Sequence, residues 1–420
     1  MKFRLIYPYW KKLAGQTEFH LPPHGPVVFA ATMPPEWEVE FIDENVMALP
    51  ADLETDLVGI SMMLTSQVKR GWEIADYYRR LGIPVICGGI ATMLHADETQ
   101  QHADAVFLGE AEGRMEQVIR DWQQGALRPR YDVMATPPAT ALIGPARRSI
   151  LDRRLYNYKG VQMVDLVHAS RGCRFNCYPC CVSFLGSRRF RPRPIAKVIA
   201  EMAEIENNRL FIVDNSLAQD RQWELDLFRE MIPLRKKWCC HPIEEDDEVL
   251  DLAAQAGAWY VYQAIFDTSD HIRRRIKRYH DHGIAVEGTV LLGLDEHNED
   301  GIKRLIDFLL EVELDLAEFT ILTPFPHTRT FTDLQREGRI LTYDWNAYTA
   351  DKVVFQPRQM SPERLQELYY EAWERFYAAE PQSYKMFKLF KKVVEKEKED
   401  GSFRPRQRGL VGERFGRQDG

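Results

Sequence analysis

Val164-Asp-Leu-Val-His-Ala169, then Ser170-Arg-Gly172, then Cys173-Arg-Phe-Asn-Cys177-Tyr-Pro-Cys180 is the stretch that decides how the chain folds. Its apolar run reads as a buried strand, and Arg171-Gly172 turns the chain out of it. A Cys-x3-Cys-x2-Cys array then occupies one short loop at the strand's carboxyl end. Three thiolates so placed can hold three irons of a cubane and leave the fourth iron open to a non-protein ligand, whereas a closed zinc or ferredoxin site needs four protein ligands. Cys173, Cys177 and Cys180 are therefore the candidate metal ligands. The competing use is a zinc knuckle, for which only Cys181 or His168 lies near enough in sequence to be a fourth ligand. Cys181 itself reads as a small residue packed beside the cluster.

Outward from this loop, strands and amphipathic helices alternate. Strands are expected at Val164 to Ala169, Leu210 to Val213, Lys237 to Cys240, Trp259 to Phe266, Ala285 to Leu292 and Glu318 to Leu322, with helices such as Ile195 to Ile205 and Ile302 to Val312 between them. Six such units over residues 160–345 point to a partial (β/α)6 barrel of the TIM type, with chemistry at the carboxyl ends of its strands. A second series lies earlier, with strands at Phe3 to Tyr7, Glu38 to Ile42, Leu57 to Met62, Val85 to Cys87 and Ala105 to Leu108. It reads as a doubly wound, Rossmann-like parallel sheet over residues 1–127. Residues 128–159, interrupted by Pro137, Pro138 and Pro145, read as a linker. Helices fill 346–400, and the last twenty residues read as a loose tail.

The chain has 420 residues and a net charge of −8, with no long basic run that would suit a nucleic acid or an anionic membrane. No apolar run approaches a transmembrane helix, and Met1 to Tyr9 reads as a strand rather than a signal peptide, so a cytoplasmic location is expected. Seven cysteines, four of them between Cys173 and Cys181, are not a secreted disulfide framework.

With these motifs in place, the sequence resembles the cobalamin-binding subclass of the radical S-adenosylmethionine superfamily. The resemblance spans nearly the whole chain up to about residue 380. In the second series it rests on Phe190-Arg-Pro-Arg193, Phe211-Ile-Val-Asp214-Asn215, Leu291-Leu-Gly-Leu-Asp295, Leu322-Thr-Pro-Phe-Pro-His-Thr328, Glu337-Gly-Arg-Ile-Leu-Thr-Tyr-Asp-Trp345, Val354-Phe-Gln-Pro357 and Met360-Ser-Pro362. In the first it rests on Asp56-Leu-Val-Gly-Ile-Ser61, Pro84-Val-Ile-Cys-Gly-Gly89 and Asp104-Ala-Val-Phe-Leu-Gly-Glu-Ala-Glu112. The Asp-x-His-x-x-Gly signature of proteins that give cobalt a histidine is absent from the first series, so no lower axial histidine is expected.

The resemblance implies a [4Fe–4S] cluster on Cys173, Cys177 and Cys180, bound S-adenosylmethionine, and cobalamin. It implies cofactor contacts from Ser61, Met62 and Thr65, from Gly88 and Gly89, and from Gly109 and Glu110, each group opening a loop at a strand end. Glycine there lets backbone approach a flat macrocycle closely. Tyr178 stands near the expected adenine contact, and Asp214 and Asp267 end the second and fourth strands of the barrel. Cys239 and Cys240 end the third, so that one thiol faces the mouth and could quench a substrate radical. His327, in a turn where relatives carry glycine, is a candidate base or substrate contact.

The activity implied is one-electron cleavage of S-adenosylmethionine to a 5′-deoxyadenosyl radical, followed by methylation of an unactivated carbon of a small molecule, natural product or lipid. An electron donor such as flavodoxin or ferredoxin is the implied partner. Ring formation, oxidation or rearrangement without methyl transfer is the alternative outcome, and a non-catalytic cobalamin or iron–sulfur sensor the alternative class.

Overall fold

Two all-parallel sheets organise the chain, and their carboxyl ends face one another. The computed structural model describes residues 1–13, 20–157, 164–186 and 188–403. The end of the linker and residues 404–420 of the tail lie outside the described residues.

The first sheet contains β1 (Lys2–Tyr7), β2 (Glu38–Asp43), β3 (Leu57–Ser61), β4 (Val85–Gly88), β5 (Ala105–Leu108) and β6 (Arg130–Asp132), in the order β2-β1-β3-β4-β5-β6. Both faces are covered, which is why β3 to β5 read as unbroken apolar runs. Phe3, Leu5, Ile86 and Phe107 pack on one face; Ile6, Val58, Ile60 and Cys87 pack on the other. The sequence gives no sign of β6, because Arg130-Tyr-Asp has one buried side chain between two exposed ones. The strand order reverses beside β1, the kind of position where open α/β sheets bind ligands.

Helix Val68–Arg80 illustrates the layer above the second face. Val68, Gly71, Ile74, Ala75 and Tyr78 form its buried stripe, the spacing of one helical face. Gly71 is needed there, since a Cβ would fall 2.2 Å from Met62 Sδ.

Beyond the 3-10 turns of residues 140–155, β7 (Asp165–Val167) begins the second sheet. A short antiparallel ladder of β8 (Ser170–Arg171) and β9 (Arg191–Pro192) brackets the cysteine loop. The sheet continues with β10 (Arg209–Ile212), β11 (Lys237–Cys240), β12 (Ala258–Ile265), β13 (Ala285–Leu292) and β14 (Leu316–Ile321), each strand paired with the next in sequence. Helices between them start on side-chain caps: Asp220 accepts from Trp223 N, Asp246 from Val249 N, Ser269 from Ile272 N and Asn298 from Gly301 N. Each cap satisfies an amide that the helix leaves unpaired.

Helix Gln382–Glu399 crosses the amino ends of these strands. Its Glu397 binds Arg209 at 2.7 Å, while Lys385 and Lys396 donate to the carbonyls of Leu314 and Gly283. Leu389 of this helix packs with Cys239, Tyr260, Ala285 and Leu316. The amino end of the sheet is thereby plugged, and the carboxyl end is left for chemistry. No helix among the described residues is long and apolar enough to cross a membrane.

Candidate functional site

Directly after β8, Gly172 adopts φ +75, and a Cβ there would meet the Arg189 carbonyl oxygen at 2.1 Å. Only glycine allows the chain to leave the strand this way. Cys173 is buried, whereas Cys177 and Cys180 are exposed. Cys180 N donates to the Cys177 carbonyl at 2.9 Å and tightens the loop. Gln219, 2 % exposed, donates from Nε2 to Cys173 Sγ at 3.3 Å and accepts from Arg174 N at 2.9 Å. It lies 46 residues from the cysteine it serves, and nothing in its local sequence announces the role.

Burial pushes the Cys177 and Cys180 thiols up, with a further rise from the neighbouring cysteines. Desolvation of half-buried Cys181, with Cys180 beside it, pushes its thiol up to about 11. Mutually close thiols stay protonated until a cation joins them. Among the described residues no three His, Cys, Asp or Glu side chains converge on one metal-ion position.

Between the two sheets lies a cavity of about 400 Å³. Ser61, Gly88, Gly89, Gly109 and Glu110 line it from the first sheet; His168, Ser170, Arg171 and Asp214 line it from the second. Gly172 and Val182, on either side of the cysteine loop, reach its rim. Phe3, Phe29, Phe107 and Met115 make its inner wall apolar. Gly89 has φ +95 and passes so near Met62 that a Cβ would lie 2.4 Å from its carbonyl oxygen, while Gly109 has φ +114. These glycines are fixed by backbone geometry, and they also leave a wall without side chains along the cavity.

Asp214 is 3 % exposed and accepts from Ala169 N at 2.8 Å and from Ser170 Oγ. Burial pushes its carboxyl up to about 6. Glu110 is held by Arg171 at 2.9 Å and by Arg191. Its carboxylate therefore ties the first sheet to the β8–β9 ladder while still lining the cavity. Arg171 also grips Glu112.

Several expected contacts lie elsewhere. The Met62 side chain packs in the core on the far face of the first sheet, although its amide and carbonyl hold Gly88 and Ala91 at 2.9 Å. Thr65 is buried and 3.2 Å from His95 Nε2. Asp267 is exposed and accepts from Ser269 N, making a turn. Tyr178 is 50 % exposed and near Thr330, outside the cavity lining.

Strand alternation separates the paired cysteines. Cys240 points into the helix-covered core, and Cys239 packs with Tyr260 and Leu389 toward the plugged amino end, so neither thiol reaches the cavity. His327 has φ +65, and its ring stacks on Phe184 at 4.6 Å, bridging the turn after β14 to the helix that follows the cysteine loop.

No protein-family model matches the chain. Bacteriochlorophyllide d C-12(1)-methyltransferase of Chlorobaculum tepidum is 24% identical over 367 residues, 81% of this chain and 79% of that protein. Hopanoid C-2 methylase of Rhodopseudomonas palustris is 24% identical over 381 residues, covering 81% and 69%. The structure of the radical S-adenosylmethionine methyltransferase TsrM from Kitasatospora setae, with cobalamin and a [4Fe–4S] cluster bound, shares the fold with a TM-score of 0.60 at 18% identity, over 88% of this chain and 85% of that one.

Over four fifths of its length the chain is similar to these methyltransferases, and it shares the fold of the cobalamin-bound one.

The donor set present in this chain fits the groups bound in that structure. Three cysteines on one loop suit a cluster with an open iron, and the glycine-walled, apolar cavity suits a large flat ligand.

Proposed function

We propose that the protein is a cobalamin-dependent radical S-adenosylmethionine methyltransferase acting on an unactivated carbon of a small molecule. The finer architecture goes with this reading: a Rossmann-like sheet that holds cobalamin, set against the mouth of a partial (β/α)6 barrel. The single observation that carries it is the cavity between the carboxyl ends of both sheets, walled by Gly88, Gly89 and Gly109 on one side and reaching the flanks of the cysteine loop on the other.

When bound, the cluster with S-adenosylmethionine supplies hydrogen-atom abstraction, and cobalamin supplies a methyl group. Every other contribution belongs to the chain. Cys173, Cys177 and Cys180 hold the cluster, and Gln219 orients the first thiolate through its hydrogen bond. Asp214 fixes the end of β7 through Ala169 and Ser170, which sets where the loop begins. Arg171 and Arg191, locked to Glu110 and Glu112, keep the two sheets in register across the cavity. Phe3, Phe29, Phe107 and Met115 exclude water from its inner wall. The exposed face of the cysteine loop at Cys177 and Cys180 is where a one-electron donor such as flavodoxin or ferredoxin would approach.

The test is anaerobic turnover of the reconstituted protein with S-adenosylmethionine, a reductant and candidate substrates. The reading expects 5′-deoxyadenosine together with a product heavier by one methylene. Product without added carbon would assign the chain to cyclisation or oxidation, and intact S-adenosylmethionine over a loaded cluster would remove the catalytic reading.

A further inference from the structure

His24 and His168 meet across the cavity. His24 is the first residue of the short helix His24–Ala30 of the first unit, His168 directly follows β7 of the second, and both line the cavity. Their rings share one hydrogen bond, His24 Nε2 to His168 Nδ1, at 2.7 Å. The two outer nitrogens, His24 Nδ1 and His168 Nε2, are buried with no hydrogen-bond partner among the described residues. Burial, with Arg148, Arg171 and Arg193 nearby, lowers both imidazoles, His24 to about 3. The pair is therefore neutral at physiological pH.

A neutral pair joined by one hydrogen bond has fixed arithmetic. Each imidazole carries one N–H and one lone pair. One N–H and one lone pair are consumed between the rings. Whichever tautomer holds, one outer nitrogen is a donor and the other an acceptor. Buried polar atoms without partners are costly and uncommon in folded proteins. Two of them on neighbouring rings, in the wall of a cavity lined by both units, call for an occupant that satisfies both.

We propose that the His24–His168 pair is a contact site for the carboxamide fringe of the corrin ligand, giving a hydrogen bond to one arm and accepting one from another. This rests on the cobalamin reading above. Carboxamides suit the pair because each offers a carbonyl acceptor and an amide donor, so either tautomer can be met. A carboxylate offers acceptors only and would leave the lone-pair nitrogen without a donor. Because the two rings come from different units, ligand held here also ties the sheets together.

The experiment is equilibrium binding of hydroxocobalamin to the full chain, read by absorbance, for the unaltered protein, His24→Phe, His168→Phe and the double variant, with urea unfolding of each without ligand. Phenylalanine keeps the ring shape and removes both orphan nitrogens together with their mutual bond. The proposal expects tenfold or weaker binding by the double variant, with an apo unfolding midpoint equal to or above that of the unaltered protein. Binding within twofold of the unaltered protein overturns it, and so does lost apo stability with unchanged affinity of the folded fraction, since that marks a structural pair. If the double variant does not fold, half-buried His24→Phe alone carries the same comparison. Failure of the unaltered chain to bind hydroxocobalamin would instead remove the cobalamin reading itself, and this occupant with it.

Discussion

Arg171, two residues ahead of the first cluster cysteine, grips Glu112 of the first unit with both guanidinium arms, at 3.0 and 2.5 Å. The Glu112 side chain is only 7 % exposed, so the ion pair is largely shielded from water. Arg171→Leu is expected to cost about 3 kcal/mol, the usual penalty for stranding one half of a buried pair. Urea unfolding measures it, and adding Glu112→Leu should recover most of the loss. Equal stability of single and double variants would show that the pair is not coupled.

Gly88 and Gly89 make opposite predictions although they are neighbours. Gly89 has φ +95 and no room for a Cβ beside Met62 O, so Gly89→Ala should lower stability by about 1–3 kcal/mol. Gly88 has ordinary φ, and a Cβ would meet nothing nearer than Phe107 O at 3.7 Å. Gly88→Ala should therefore fold normally and weaken cobalamin binding by filling space at the cavity wall. Thermal unfolding and ligand titration of the two variants separate the roles.

Asp214 makes a signed pH prediction. Its folded value, about 6, exceeds the ordinary carboxylate value of about 3.9 in an unfolded chain. Between the two, the folded protein holds the extra proton, so this group's contribution is fully present below about pH 4 and is lost as pH rises through 6. The shift of about two units corresponds to about 3 kcal/mol. The stability difference between the unaltered protein and Asp214→Asn, measured by urea unfolding at pH 4.5 and 7.5, should move by that order in favour of the variant at the higher pH. Movement in the opposite sense would mean that hydrogen bonds from Ala169 and Ser170 outweigh burial.

The parts legible in the sequence were those set by short-range rules. Unbroken apolar runs marked β3 and β4 because both faces of the first sheet are covered, and Cys-x3-Cys-x2-Cys after Arg171-Gly172 marked a ligand loop because the spacing is local. What escaped depends on partners far along the chain. The pairing of Glu110 with Arg171 and Arg191 has no local signal, and Gln219 reaches a thiol 46 residues away. His24 and His168, 144 residues apart, carry no shared signal at all. Strand alternation guarantees that adjacent Cys239 and Cys240 diverge, but not that the inward one packs toward the plugged end under Leu389. β6 was invisible because a single buried tyrosine between charges has no periodicity to read.

The central claim is a cluster on three thiolates with one iron left open. Anaerobic reconstitution with iron and sulfide, followed by paramagnetic resonance of the reduced protein with and without S-adenosylmethionine, tests it most directly. One [4Fe–4S] cluster per chain is expected, its signal shifting when S-adenosylmethionine is added, lost in Cys173→Ala, Cys177→Ala and Cys180→Ala and kept in Cys181→Ala and Cys240→Ala. A chain that takes up only tetrahedral zinc, or a cluster that survives removal of all three loop thiols, would contradict the account.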